Sequence, residues 1–177
     1  KMMFDISDQA EVGPIILIDN SKIEKLYRGI PPSKFWPTVN DTITQLFQIF
    51  NYLSKQESNY TSFDREDYKT VLSTPGLAAL GVTKVEIKEG TELSQALQSN
   101  LKKTLLADMV DYSTAKEAAC IVVAGDKLME TMSMDDINYG FDTIANLIGN
   151  ANVHRGLYDS AGEVIRAYTL ITGMKAK

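Results

Sequence analysis

The sequence predicts an α+β chain: a C-terminal four-stranded sheet with helices packed on one face, preceded by a long central helix. Three observations carry that prediction. Ile15-Ile16-Leu17-Ile18 is an unbroken apolar run between Gly13-Pro14 and Asp19-Asn20. That is the pattern of a strand buried on both faces of a parallel sheet. Val39, Ile43, Leu46, Phe47, Phe50 and Leu53 recur with the helical period for about four turns. After residue 76, four strand-like runs and two helical ones follow, the makings of helices layered on a sheet.

In chain order, Asp19-Asn20-Ser21 caps a short helix from Lys22 to about Tyr27, which Gly29 and Pro31-Pro32 end. Pro37 suits the first position of the central helix, where its missing N–H is no loss. Ser54 to Ser62 is polar and without period. A shorter helix runs from about Asp64 to Leu72 and stops at the turn Ser73-Thr74-Pro75-Gly76. Leu77 to Gly81 is small and apolar, and Val82 to Lys88 alternates like a half-exposed strand. Thr91 caps a helix with the stripe Leu93, Leu97, Leu101, Leu105. Ala118 to Ala124 is a buried strand, and Ser133 caps a helix carrying Ile137, Phe141, Ile144 and Ile148 on one side. Asn152 to Tyr158 and Glu163 to Thr172 complete the strands. There is no internal repeat.

The 177 residues suffice for one full core, or for a domain and part of another. A hydrophobic fraction of 44% with 23% charged residues is that of a soluble globular protein. The net charge is −5 and the lysines and arginines never form a block, which argues against nucleic acid or an anionic membrane as a direct partner. With no apolar run of about 18 residues and no signal-peptide pattern, a cytoplasmic location is expected. Cys120 is the only cysteine, so no disulfide forms within the chain, and its apolar setting predicts a buried, inert thiol. The lone His154 lacks the set of cysteine partners a zinc site would need, so no metal site is expected and it reads as a surface or strand-edge residue.

The stretch from Ser62 to Ser73 carries the most chemistry. Asp64 and Asp67 stand three residues apart at the start of a helix, so both can aim at one point. The positive end of the helix favours their ionised forms. Such a pair can polarise a water or hold a hydrated cation. It can equally be a cap that satisfies free backbone N–H groups. Spacing alone leaves both readings open.

The run Asp64-x-x-Asp67-Tyr68-Lys69-Thr70-Val71-Leu72-Ser73-x-x-Gly76-Leu77-Ala78-x-x-Gly81 resembles the acidic loop and helix of FtsZ and its tubulin-like relatives, an archaeal FtsZ/CetZ-like branch among them. In FtsZ that stretch reads approximately Asn-x-Asp-Phe-x-Asp-Val-x-Thr-Val-Met before a Gly-Leu-Ala segment. Ile15 to Asn20 is similar to the last strand of that family's nucleotide-binding α/β domain, with Asp19 in place of a proline. Trp36-Pro37-Thr38-Val39-Asn40-Asp41 resembles the opening of its central helix, and Thr169 to Gly173 its closing strand end. Two departures stand out. Ser62 replaces the usual asparagine, and no Gly-rich phosphate loop occurs in these residues.

The resemblance implies a filament-forming GTPase, using GTP/GDP and Mg2+, in which the acidic loop of one subunit completes the nucleotide site of the next. It implies residues 1–36 as the remnant of a GTP-binding domain, 37–62 as the central helix and loop, and 63–177 as the domain that activates hydrolysis. Asp64 and Asp67 would be catalytic. Trp36 would stack on guanine, Asn40 or Asp41 would read its edge, and Asn20 would also face the nucleotide. The partners implied are further copies of the subunit and the missing GTP-binding half; the fragment alone is expected to be inactive. Against these roles, Trp36 also fits a core anchor, and Asn40 and Asp41 fit a solvated first turn. The alternatives are a non-catalytic tubulin-like module, and outside the family a small α+β ligand-binding domain in which Asp64-x-x-Asp67 is only structural.

Overall fold

The computed structural model describes residues 13–85, 107–130, 132–149, 151–161 and 164–177. Strand β1 (Ile15–Leu17) leads into helix α1 (Asn20–Leu26), whose cap Asp19 accepts from the Ser21 N–H at 2.8 Å. The chain then turns at Gly29, φ 92°, into helix α2 (Pro32–Leu53). This central helix begins five residues before the expected Pro37. Pro32 takes the opening position, where a proline's missing N–H breaks no bond. Pro37 lies inside the helix and forfeits the bond to the carbonyl of Ser33. The predicted stripe holds: Val39, Leu46, Phe50 and Leu53 are buried, with Ile43 and Phe47 partly so.

Helix α3 (Arg65–Ser73) is followed by β2 (Leu77–Val85), a two-residue β3 (Val110–Asp111) with a 3-10 turn at Tyr112–Thr114, and β4 (Glu117–Gly125). A short α4 (Asp126–Met129), the longer α5 (Met134–Leu147), β5 (Asn152–Ser160) and β6 (Ile165–Ala176) complete the chain. The helix expected from Thr91 to Leu105 lies outside the described residues.

The four expected strands form the body of the sheet, and two further strands join them. The order is β1-β2-β6-β4-β5, with β3 paired to the far end of β6. β1 runs parallel to β2 and β4 parallel to β5, whereas β6 is antiparallel to β2, β3 and β4. Leu77 to Gly81, which shows no alternation, is strand because both of its faces are covered. The same holds for Ala118 to Ala124: Ala118, Cys120, Val122 and Ala124 meet α5 on one face. Ala119 and Ile121 meet the α2 and α3 side on the other. Strands buried on both faces need no polar positions, which is why they read as continuous apolar runs.

β6 does not stop at Gly173. That residue sits at φ 77° where the β2–β6 register slips by one, a bulge, and the strand continues to Ala176. A Cβ there would fall 2.8 Å from the Lys116 side chain.

Candidate functional site

The loop between α2 and α3 looks patternless, yet it is fastened to β5 at every turn. The Ser58 hydroxyl donates to the Leu157 carbonyl, and the Leu157 N–H donates to the Thr61 carbonyl at 2.8 Å. The buried Tyr158 hydroxyl accepts from the Phe63 N–H at 3.0 Å and donates to the Leu53 carbonyl at 3.0 Å. It thus ties the end of α2 to the residue before Asp64. Burial, then the charges of Asp67 and Asp64, raise the Tyr158 phenol, which keeps it a donor. Phe63 is fully buried, with its ring 6.2 Å from Phe50 and 6.0 Å from Tyr68. It reaches this position by crossing β5 at Gly156, where a Cβ would lie 2.9 Å from the Phe63 Cβ.

On this footing Asp64 and Asp67 form a reciprocal cap. Asp64 Oδ1 accepts from the Asp67 N–H at 2.9 Å, and Asp67 Oδ2 accepts from the Asp64 N–H at 3.1 Å. Asp64 is exposed and borders a shallow depression of about 370 Å³ with Ser54, Glu57, Ser62 and Arg65. Glu66 is a solvated charge, loosely paired with Lys69 at 3.7 Å.

Asp67 has a further partner, which sequence reasoning missed. Its Oδ1 lies 2.7 Å from His154 Nδ1, and His154 Nε2 lies 2.9 Å from Glu117 Oε2. Glu117 in turn accepts from Asn152 Nδ2 at 3.0 Å through its other oxygen. Glu117 faces Asn152 across the β4–β5 ladder, so His154 is its diagonal neighbour on the same face. His154 is a strand-edge residue as expected, on the outermost strand β5. Burial works against charge on the imidazole, but the hydrogen bonds and charges of Asp67 and Glu117 outweigh it and raise His154 above its ordinary value. A histidine 87 residues from its aspartate leaves no local pattern to find.

Three of the other predicted residues, Trp36, Asn40 and Asp41, lie toward the opposite end of α2. The Trp36 ring is 48% exposed, edge-on to Phe35, so it is not a core anchor. Asn40 stands one turn further along the same face, and Asp41 beside it accepts from Gln45 Nε2 at 2.6 Å. Asn20 opens α1, and no hydrogen bond among the described residues joins it to Trp36, Asn40 or Asp41. From Trp36 to the last turn of α2 is about 25 Å at the helical rise. The two candidate groups are therefore separate. A larger open groove of about 580 Å³ runs between α2 and strands β2 and β6, past Gln45, Ile49, Tyr52, Arg166 and Tyr168, and holds none of the predicted residues.

Among the described residues, no group of three or more His, Cys, Asp or Glu is placed to hold a metal ion. No helix among them is long and apolar enough to cross a membrane. Burial pushes the Cys120 thiol up to about 12, as an inert core residue requires.

The sequence matches no family model and no curated protein. Solved structures do match. TubZ-Bt, in a helical four-stranded filament, gives a TM-score of 0.82 at 13% identity, over 98% of this chain and 47% of that one. FtsZ from M. jannaschii, solved as an empty dimer, gives 0.73 at 17% identity over 97% and 51%. CetZ2 from Haloferax volcanii, in a GTPγS-bound protofilament, gives 0.73 at 15% identity over 96% and 48%. The chain thus spans about half the length of these structures. At such identities the likeness is one of fold: this α+β chain has the fold that TubZ, FtsZ and CetZ share, and its sheet and helices match their C-terminal domain.

Proposed function

We propose that the chain is the central-helix and C-terminal part of a filament-forming GTPase subunit, whose Asp64–Asp67 turn completes the nucleotide site of the next subunit. The observation that carries this reading is the separation of the two candidate groups at opposite ends of α2. A subunit that adds head to tail needs two different faces, one for its own nucleotide and one for its neighbour's. The fold likeness to filament proteins supports it from a second side. The residues divide accordingly. Trp36, Asn40 and Asp41 are the groups for the guanine base, with Asn20 assigned to the same nucleotide: a half-exposed ring to stack, and a carboxylate able to accept from N1–H and the exocyclic amine. Asp64 and Asp67 orient the attacking water, in a reaction that is mostly positioning and electrostatics. Mg2+ in such sites is bound by phosphates, waters and one or two carboxylates rather than a protein cage. Asp64 is the available carboxylate, because both Asp67 oxygens already accept hydrogen bonds.

The test mixes two variants of the complete subunit. Asp67→Ala retains its own pocket but lacks the turn, and a second variant is defective only in nucleotide binding. Each alone should turn over GTP slowly, and the mixture should recover activity at contacts joining an intact pocket to an intact turn. Co-assembly without recovery refutes the reading.

One observation favours a second reading, a non-catalytic tubulin-like module: Asp64 and Asp67 cap each other's backbone N–H groups, a purely structural duty. Normal GTP hydrolysis by Asp67→Ala would make the pair structural.

A further inference from the structure

We propose that His154 is a positioning residue for Asp67, and that its imidazolium holds this carboxylate in the orientation needed at the neighbouring nucleotide. The inference rests on the role proposed for Asp67 above. Its basis is geometric. Both ring nitrogens of His154 meet a carboxylate oxygen, at 2.7 Å from Asp67 and 2.9 Å from Glu117. An ionised carboxylate only accepts, and a neutral imidazole has one N–H to give. Neutral His154 would therefore turn a lone pair toward one of the two carboxylates. Only the doubly protonated ring satisfies both.

Among the described residues, few groups face the ring. Asp67 approaches from α3 and Glu117 from β4, while Asn152 on its own strand is neutral and holds the far oxygen of Glu117. The adjacent Arg155 is engaged elsewhere, by Asp142 at 2.6 Å and over the Phe141 ring. When the proton leaves, one contact must be surrendered. Glu117 is the more enclosed and is braced by Asn152, with its side chain 16% exposed against 31% for Asp67. Asp67 is thus the partner released. It keeps only its bond to the Asp64 N–H and is free to turn about it. Proton loss at the sheet edge becomes a loss of aim at the helix start, and turnover falls as pH rises through the His154 titration.

The experiment follows GTP hydrolysis by the complete subunit at saturating GTP from roughly pH 6 to 9, the range over which histidine titrates. The His154 titration is followed by NMR, its resonance identified as the one that His154→Gln removes. The wild type should lose turnover by about tenfold, the scale of a small misplacement, with a midpoint matching the imidazole. Glu117→Gln should move both midpoints to lower pH together, and it carries the test should His154→Gln fail to fold. His154→Gln should be slow and flat across the range. Unlinked midpoints, or wild-type rate and profile in His154→Gln, overturn the inference. Asp67→Ala separates the two levels. If it is slow while His154→Gln matches wild type, only the positioning role fails; if it hydrolyses GTP normally, the underlying reading fails.

Discussion

His154 Nδ1 and Asp67 Oδ1 lie 2.7 Å apart, joining the outermost strand of the sheet to the first turn of α3. The stability of the fold should carry the signature of this pair. Because the folded imidazole titrates above its ordinary 6.5, its stabilising share is complete below that value and disappears as pH rises through the folded value. The wild type should therefore lose resistance to denaturant on going from slightly acidic to alkaline solution. Chemical denaturation of wild type and His154→Gln across that range checks it. The difference between the two should shrink as pH rises; a constant or growing difference contradicts the raised value.

Tyr158→Phe removes the hydroxyl that accepts from the Phe63 N–H and donates to the Leu53 carbonyl. The ring remains to fill its space, so the loss is confined to two buried backbone groups. Unsatisfied groups of this kind cost about 1–3 kcal/mol, and the variant should unfold that much more easily. Protease cleavage between residues 54 and 63 should rise as well, since Tyr158 fastens that loop to β5. Unchanged cleavage would mean Ser58 and Thr61 suffice to hold it.

Gly156→Ala tests the crossing of Phe63 over β5. The new methyl would sit 2.9 Å from both the Phe63 Cβ and the Tyr158 ring. Neither can retreat without disturbing a packed neighbour, so destabilisation of about 1–3 kcal/mol is expected, the range for overpacking a core. An unchanged melting temperature would show that the crossing has slack.

These three positions mark where the sequence stops being readable. The stripes on α2 and α5 and the apolar strands are legible because each element buries a face and so must repeat with its own period. The caps at Asp19, Asp64 and Ser133 are legible because capping is chemistry between near neighbours. His154, Tyr158 and Gly156 act on partners far away in sequence, and nothing beside them in the chain announces it. The two-residue β3 is too short to have a period, and Pro37 misplaces the start of α2 because proline is favoured at the first position without being confined to it.

Asp41→Ala tests the base-reading end of α2. Asp41 is exposed, and its only side-chain hydrogen bond among the described residues comes from Gln45 in its own helix, so the fold has little to lose. In the complete subunit, discrimination of GTP over ATP should fall by about 1–3 kcal/mol, the scale for leaving a buried donor edge unpaired. Competition binding measures it. If Asn40→Ala removes the discrimination and Asp41→Ala does not, the amide is the reader; if neither does, the base binds elsewhere.

Asp64 can be divided into its two possible duties by two substitutions. Asparagine caps a helix about as well as aspartate, whereas alanine forfeits about 0.5–2 kcal/mol. Asp64→Asn should therefore keep the Asp67 N–H satisfied and leave the melting temperature close to wild type. Asp64→Ala should lower it. The amide, however, has lost the charge that would polarise a water. If Asp64 acts on the neighbour's nucleotide, both variants should slow GTP hydrolysis by roughly 10²-fold, the scale of losing a positioned group in proton transfer. Turnover would then fail to follow stability. If Asp64 is only a cap, turnover should track the melting temperature, with asparagine close to wild type and alanine impaired in both. Paired melting and hydrolysis measurements on the two variants thus separate a charge required by chemistry from an oxygen required by a helix.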